Sequence, residues 1–480
     1  MEEYSQHQWR QWRSKAVNIY YGFSFYAGLL YTGYMATEFL YIQDISHHHN
    51  SPFFFSVVIG TSRAAAAVAM LVGSTYHQFT LDIKRVILVL LGMALVGNIL
   101  YLIPYSMGPV LLATCLIMTS SILVPIITSE ITIIVDHEDV ANTVSLAGSF
   151  YTLGMIVGPC LAFAFNRFDF QKGDYRLYYG NVPAIFLGGL HVPLFLSVYF
   201  LRNLAKMHQN KMGISTQFTR PRTLREQGRM IKIQINDEDI FPSSEESETD
   251  DDDEERQLIQ KDKNTKSHLP LSTYFLTAWS ILSDKHFGVN LLASAVALYS
   301  LTVMMYLLVV TSVQRLQWSV PMLATIRIVA LVGGLISASV AVELKKHVKD
   351  FILNFIVIAT SIIPVIMISV TPSVGNTDVL KGLILSASFV TGFIEAMVHI
   401  NAATILSRLV RTEYHQVSVT VRHTVFQLAL AVAGFSIGVV YEYLTIGGFM
   451  IVFVIICSTI ALLTELKSSM DSEGTKEWDE

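Results

Sequence analysis

The chain has 480 residues, of which 52% are apolar and 15% are charged, and its mean hydropathy is +0.48. Soluble globular proteins usually carry about 25% charged residues, so the composition excludes an ordinary soluble domain. The net charge of −5 arises from residues 236–255, which contain twelve acidic residues and no lysine or arginine. The remainder of the chain is mildly basic, which gives no indication of nucleic-acid binding.

Twelve long apolar stretches, six on each side of this acidic segment, indicate a polytopic membrane protein. Backbone groups in hydrocarbon must be hydrogen-bonded internally, so each stretch of about 20 apolar residues is predicted to be a helix. Prolines 125, 193 and 364 lie inside spans 4, 6 and 9, and span 4 is expected to bend at Pro125. The predicted spans are 17–42, 52–76, 86–105, 108–134, 141–165, 180–202, 286–313, 320–343, 350–371, 380–408, 418–441 and 445–466.

The predicted fold is an all-α membrane protein whose twelve transmembrane helices form two six-helix bundles. Basic residues near the span ends favour one side of the membrane, which places both termini in the cytoplasm. The predicted divisions are an interfacial cytoplasmic segment over 1–16, the N-terminal bundle over 17–202, a loop over 203–285, the C-terminal bundle over 286–466 and a tail over 467–480. Trp9 and Trp12 alternate with arginines and are expected at the headgroup level.

The central loop, residues 203–285, is rich in polar and charged residues and is predicted to be a disordered acidic tether on the cytoplasmic side. Within it, Glu254, Leu258 and Ile259 fit an acidic dileucine motif, with the acid four residues before the aliphatic pair. Clathrin adaptors bind such segments in an extended form, so the motif predicts sorting to lysosomes or endosomes. A chance match in such acidic surroundings is the alternative.

The two halves carry similar features at the same ordinal positions. Arg63 in span 2 corresponds to Arg327 in span 8, and Gly154-xxx-Gly158 in span 5 corresponds to a Gly-xxx-Gly pair in span 11. A parallel repeat of two six-helix bundles is an arrangement typical of transporters.

Ionisable residues inside the spans are the best candidates for a functional site, because each is costly in hydrocarbon and needs a partner or a wet cavity. Glu395 lies near the middle of span 10, and His399 follows on the same helix face. Such a carboxylate–imidazole pair can exchange protons near neutral pH. The alternative is a hydrogen-bonded pair that fixes helix packing.

Four further acidic or basic positions lie inside the spans. Arg63 and Arg327 can neutralise Glu395, which is the favoured interpretation, or bind an anionic substrate. Glu130, near the cytoplasmic end of span 4, is a candidate gate acid, and Glu38 in span 1 is expected to reach the luminal interface.

The six-plus-six layout resembles the major facilitator superfamily. The antiporter motif of its fifth helix, a glycine-rich stretch ending in Gly-Pro, is represented by residues 153–159 with Gly154, Gly158 and Pro159. Small residues at this spacing let helices approach closely. The motif of its 2–3 loop is represented in altered spacing by Asp82, Lys84 and Arg85. The resemblance implies a central cavity lined by spans 1, 4, 7 and 10.

Within that superfamily, the chain is similar to the lysosomal ceroid-lipofuscinosis membrane transporter family. The similar segments are residues 9–20, Ser145-Leu-Ala-Gly followed by Gly158-Pro159, and residues 343–350. Two features of those relatives are missing: the arginine of helix 4 is replaced near Cys115, and the acid of helix 7 is replaced by the apolar run 301–310.

No phosphate-binding glycine loop, HExxH or GxSxG motif is present, so an enzyme is not expected. The three cysteines lie in apolar runs and form no metal pattern, and neither a metal nor a cofactor is expected. The predicted function is proton-coupled secondary transport of a small solute or anion across the lysosomal or late endosomal membrane. The alternatives are a transporter-like scaffold or receptor without transport, and an anion-conducting channel. The expected partners are the substrate, the lipid bilayer and a clathrin adaptor.

Overall fold

The computed structural model describes residues 6–46, 50–103, 106–135, 137–172, 175–204, 207, 271–410 and 414–474. The helices of the N-terminal half are α1 (Gln6–Gly33), α2 (Glu38–Ile45), α3 (Ser51–Thr80), α4 (Ile83–Tyr101), α5 (Met107–Thr119), α6 (Leu123–Ile134), α7 (His137–Phe165), α8 (Val182–Gly189) and α9 (His191–Phe200). Strands β1 (Asp169–Lys172) and β2 (Tyr175–Tyr178) form an antiparallel hairpin between α7 and α8.

The C-terminal half contains a similar series of helices. They are α10 (Leu271–Ser283), α11 (Lys285–Leu316), α12 (Val320–Leu344), α13 (Asp350–Thr360), α14 (Ile362–Ser369), α15 (Thr377–Arg408), α16 (His415–Glu442) and α17 (Leu444–Gly474). Single 3₁₀ turns follow α5 at Ser120–Ile122 and α14 at Thr371–Ser373.

Eleven helical stretches of the described chain are long and apolar enough to cross a bilayer. The remaining crossing is formed by α1 followed by α2. Helix α1 is less apolar than the other crossings because it begins with charged residues and carries many tyrosines. Twelve crossings in two halves confirm the predicted architecture. Because the number is even, both termini lie on one side, here named the terminal face, and the β-hairpin lies on the other, here named the hairpin face.

Four spans are interrupted rather than straight. Span 1 breaks at the turn over residues 34–37, and span 4 bends at the 3₁₀ turn Ser120–Ile122, five residues before the expected position at Pro125. Spans 6 and 9 break at Leu190 and Ser361, each three residues before a proline. A proline cannot donate to the preceding turn, so the helix kinks before the proline itself.

Helix pairing repeats between the halves. In the N-terminal half α1 packs on α7, α3 on α5 and α4 on α5. The corresponding C-terminal pairs, α11 with α16, α12 with α15 and α13 with α15, are also in contact. Between the halves α3 packs on α16 and α12 packs on α7. In both contacts the second span of one half meets the fifth span of the other half. The pairing supports the predicted parallel repeat.

Glycines allow the closest helix contacts. A Cβ at Gly154 would overlap the Phe25 carbonyl oxygen, and one at Gly158 would overlap Thr32, so both glycines pack α7 against α1 within the N-terminal bundle. The close approach expected from this glycine spacing thus occurs between two helices of the same bundle. The contact between the bundles instead uses Gly434 of α16, whose Cβ would overlap the backbone of Gly60 in α3.

Pro159 lies inside α7 without ending the helix. A proline at this position deprives the carbonyl of Met155, four residues earlier, of its helical donor. The hydroxyl of Thr32 donates to that carbonyl oxygen at 2.9 Å. A neighbouring helix thus satisfies the freed backbone group, which allows a proline within a membrane helix.

We predict that Thr32→Val destabilises the fold, because the isosteric valine leaves the Met155 carbonyl without a donor. An unsatisfied buried acceptor costs about 1–3 kcal/mol. Thermal unfolding of the purified protein in detergent should show a lower midpoint. The matched control is Thr464→Val, whose exposed hydroxyl bonds only within its own helix; equal midpoints for the two variants would exclude this role for Thr32.

Two predicted boundaries differ from the structure. Residues 6–16, expected as a separate interfacial segment, are the first turns of α1, and Arg202 lies over the Trp12 ring at 3.9 Å. Residues 271–283, expected to be disordered, form α10 against α11 and α16. The sequence did not predict this helix because α10 buries only a narrow stripe, including Tyr274 and Ile281, and exposes the large side chains of Phe275 and Trp279.

The loop motif after α3 stays within the N-terminal bundle. Asp82 caps α4 by accepting from the Arg85 backbone N–H at 3.3 Å, and its side chain pairs with the Arg85 side chain at 3.0 Å. Asn203 also donates to Asp82 at 3.0 Å, and the Lys84 ammonium donates to the Tyr199 carbonyl at 3.4 Å. These contacts fasten α4 to the end of span 6.

The hairpin on the opposite face holds a surface ion pair. Arg176 donates to both carboxylate oxygens of Asp169 at 2.9 Å. These hydrogen bonds hold the pKa of the Asp169 carboxyl below its ordinary value. The group therefore stays ionised in a mildly acidic compartment, and the pair is lost only as the pH falls through that lowered pKa.

Candidate functional site

Two arginines from opposite bundles are buried in the centre of the molecule. Arg63 of α3 is 2% exposed, and Arg327 of α12 is 8% exposed. Helix α3 belongs to the N-terminal bundle and α12 to the C-terminal bundle. The sequence-predicted repeat thus brings equivalent cations from the two halves to one place.

Tyrosines separate and orient the two guanidinium groups. The Arg63 guanidinium lies 4.5 Å from the centre of the Tyr31 ring, and its Nη2 donates to the Tyr306 hydroxyl at 3.5 Å. The Arg327 guanidinium lies 5.2 Å from the centre of the same Tyr306 ring. Aromatic faces attract cations without neutralising them. Tyr306 of α11 therefore links the two arginines.

Neither guanidinium group is fully hydrogen-bonded. The Nε and Nη1 atoms of Arg63 and the Nε and Nη2 atoms of Arg327 are buried without a hydrogen-bond partner. Within the described part of the chain, the ion pairs closer than 4.0 Å involve neither arginine. The predicted charge compensation between these arginines and Glu395 therefore does not take the form of a direct ion pair in this conformation.

Two carboxylates lie farther out, within electrostatic range of both arginines. They are Glu38, which is 5% exposed, and the half-buried Glu395 of α15. Glu38 was expected to reach the interface but is enclosed, because span 1 turns at residues 34–37 and restarts as α2 with Glu38 in its first turn. A carboxylate there is favoured by the positive end of the helix dipole.

The central cluster, defined as Arg63, Arg327, Glu38, Glu395 and Tyr306, combines donors for an oxyanion with acids that can carry protons. The sequence indicated Arg63, Arg327 and Glu395 as ionisable residues within spans. It did not indicate Tyr306, because a tyrosine in an apolar run is common. The sequence did not indicate the break in span 1, and the enclosure of Glu38 depends on that break.

His399 has different neighbours from Glu395 although it follows one helical turn later. Its side chain is exposed, and its ring packs edge-on against the buried Phe426 at 5.5 Å between centres. Its electrostatic neighbour is Arg422 of α16. The hydrogen bonds of the described residues do not join Glu395 to His399, so the expected carboxylate–imidazole pair is not formed in this conformation.

His399 differs in exposure from the helix contacts near the hairpin face. His399 lies on the terminal side of Glu395 and is exposed, whereas the contacts toward the hairpin face are closed. There Ala36 and Ala162 pack with Val320 and Ala324 across the bundles. The bundles are therefore closed toward the hairpin face.

Glu130 lies apart from the central cluster. It is fully buried, and its carboxylate lies 3.0 Å from His77 Nε2 of α3. The next residue on α3, Gln78, donates to the Thr420 hydroxyl of α16 at 3.4 Å. Glu130 thus pairs within the N-terminal bundle, beside a hydrogen bond that joins the bundles near the terminal face, and its gate role stays a prediction.

The sorting residues Glu254, Leu258 and Ile259 lie outside the described residues. No group of three or more histidine, cysteine, aspartate or glutamate side chains in the described ranges is arranged to hold a metal ion.

The family model of the Major Facilitator Superfamily matches residues 16–434, which is most of the chain and includes the central cluster. The chain belongs to the Major Facilitator Superfamily. As a member of this superfamily it is a multi-pass secondary transporter and not an enzyme. No curated protein matches it in sequence.

Solved structures of POT transporters share its fold. A POT family transporter in complex with a thioalcohol-conjugated peptide aligns with a TM-score of 0.57 at 12% identity, covering 95% of this chain and 96% of that chain. A POT family transporter in complex with 5-aminolevulinic acid gives a TM-score of 0.58 at 12% identity over 95% and 96%. Peptide transporter POT in complex with sulfate gives 0.59 at 12% identity over 95% of each.

We predict that a cysteine replacing His399 is modified by a membrane-impermeant thiol reagent applied to the terminal face. The background is a variant whose three native cysteines are replaced by serine. The matched control is Ala402→Cys, three residues later on α15 and 1% exposed. Modification at 399 should be faster because water reaches that side chain; equal rates at the two positions would contradict the exposure of His399.

Proposed function

We propose that this superfamily member transports a small anionic solute together with protons, with Arg63 and Arg327 as the anion site and Glu395 as the main proton carrier. The observation that supports this most is the pair of buried guanidinium groups with unpaired nitrogen atoms. An arginine at a span centre costs about 2.5–3.5 kcal/mol on insertion scales. Its retention without a contacting carboxylate favours a ligand as the missing partner.

The charges of the central cluster explain coupling to protons. With both carboxylates ionised, two arginines and two glutamates sum to zero, and an anion gains little net attraction. Protonation of Glu395 makes the site net positive, which favours an anion by Coulomb attraction in a low-dielectric interior. Binding of protons and binding of the anion should therefore promote each other, as linkage requires.

The placement of the arginines in different bundles suits alternating access. An anion held by Arg63 and Arg327 together contacts both halves at once, and departure of the anion leaves two like charges facing each other. The contacts α3–α16 and α7–α12 are then the surfaces on which the bundles rock. The POT structures hold ligands named 5-aminolevulinic acid and sulfate, so the same fold accommodates oxyanion-bearing molecules.

We predict that Glu395→Gln abolishes accumulation driven by a pH gradient but retains exchange of labelled substrate at equal concentrations. The amide cannot release a proton, whereas the arginine pair still binds the anion. The measurement is uptake and counterflow in proteoliposomes, using the solutes that differ between membranes with and without this protein. The control Glu343→Gln removes an exposed carboxylate at the terminal face.

Arg327→Gln should lose both uptake and exchange in the same assay, because it removes a binding group rather than a proton carrier. Large anion current without saturation in the wild type would favour a channel. Absence of flux for every tested solute would favour a scaffold or receptor. Either result would overturn proton-coupled transport.

We further propose that the protein resides in the lysosomal or late endosomal membrane with both termini in the cytoplasm. The support is the dileucine pattern Glu254, Leu258 and Ile259, the basic residues at the terminal face, and the resemblance to the lysosomal ceroid-lipofuscinosis membrane transporters. A lumenal acid pH would supply the proton gradient for export toward the terminal face.

We predict that replacing Leu258 and Ile259 by alanine moves the full-length protein to the cell surface, because a clathrin adaptor would lose both apolar anchors. Surface biotinylation and lysosomal co-localisation measure the shift. The matched control replaces Ile233 and Ile235, two aliphatic residues of the same loop. Unchanged lysosomal staining in the Leu258 and Ile259 variant would exclude the motif.

A further inference from the structure

A second group of basic side chains, one arginine and two histidines, lies on α15 and α16 outside the central cluster. It consists of His399, Arg422 and His423, here named the basic cluster. Arg422 Nη2 donates to His423 Nε2 at 3.1 Å. This hydrogen bond fixes His423 as the neutral tautomer with its proton on Nδ1, since an acceptor nitrogen cannot carry a proton.

The basic cluster has no acidic counterpart. Among the described residues no carboxylate lies within 4.0 Å of Arg422, and its hydrogen bond is to a histidine. The charged groups that His423 experiences are Arg422 and His399, and the one that His399 experiences is Arg422. A cationic group in a membrane helix needs a partner or a wet cavity, and no described carboxylate pairs with Arg422.

The basic cluster lies on the path between the terminal face and the central cluster. Arg422 is seven residues from the first residue of α16, His415, which corresponds to about 10 Å along the helix axis. Glu395 is one turn deeper than His399 on α15. His399 is exposed, and a solute moving along α15 from Glu395 toward the terminal face would pass it.

The donors of the basic cluster suit an oxyanion. A guanidinium group presents five N–H donors in a planar fork, and Arg422 directs one nitrogen toward His423. The remaining donors can bind a carboxylate, phosphate or sulfate group in the bidentate manner that arginine favours. The exposed His399 imidazole adds a further donor from the neighbouring helix.

We propose that His399, Arg422 and His423 form a second oxyanion site, at which the anionic solute rests between the central arginines and the solution at the terminal face. The site accepts small oxyanions as a class. Its role as a resting place for substrate depends on the proposed function, whereas its ability to bind an oxyanion does not.

The test is equilibrium binding of radiolabelled inorganic sulfate to the purified full-length protein in detergent. The wild type is expected to bind two sulfate ions per chain. Arg422→Gln and Arg327→Gln are each expected to bind one, from different sites, and Arg422→Lys should weaken its site because a lysine lacks the fork. The loss at one site should be about tenfold or more, since a charge-assisted hydrogen bond is worth about 1.5–3 kcal/mol.

Lys381→Gln serves as the control, because it removes an exposed cation near the hairpin face. If Arg422→Gln does not fold, His399→Asn replaces it, with the same expected loss of one site. Two sulfate ions bound at unchanged affinity in these variants, or binding in the wild type that Arg327→Gln removes entirely, would overturn the second site. Loss in Arg422→Gln with no loss in Arg327→Gln would instead uphold the second site and contradict the central anion site.

Discussion

Two arginine side chains buried between the bundles without a contacting carboxylate are the electrostatic constraint that shapes this molecule. Tyr31 and Tyr306 hold the guanidinium groups of Arg63 and Arg327 against aromatic faces, and unpaired nitrogen atoms are left over. Glu38 and Glu395 lie within electrostatic range but not in contact. The protonation of these acids therefore sets the net charge of the cavity, and with it the attraction for an anion.

The helical scaffold makes this placement possible. In the contacts of α3 with α16 and of α12 with α7, the second span of one half meets the fifth span of the other. Because each second span carries an arginine, two equivalent arginines lie at the centre. Glycines bring helix backbones into direct contact, and the hydroxyl of Thr32 satisfies the carbonyl that Pro159 leaves free. Satisfied backbone groups are required in hydrocarbon, and they leave the unpaired side-chain donors at the centre available for a ligand.

The sequence predicted much of the architecture because hydropathy reports each helix separately. It located the crossings, the repeat, and Arg63, Arg327 and Glu395 as costly charges in apolar runs. The turn at residues 34–37 left no break in the apolar pattern, so the enclosure of Glu38 was not predicted. Arg422 and His423 lie near the start of their span and resembled ordinary interfacial residues. Pairing of His399 with Glu395 followed from helix periodicity, but the packing of Phe426 and Arg422 around His399 depends on a neighbouring helix that periodicity does not describe.

The most direct measurement of the coupling is the number of protons taken up when an oxyanion binds. Calorimetric titration of the purified protein with sulfate, repeated in buffers of different ionisation enthalpy, gives that number. Net proton uptake in the wild type that disappears in Glu395→Gln is the expected result, since binding and protonation are linked. Binding without proton uptake in the wild type, or uptake unchanged in Glu395→Gln, would contradict a cavity whose charge is set by this acid.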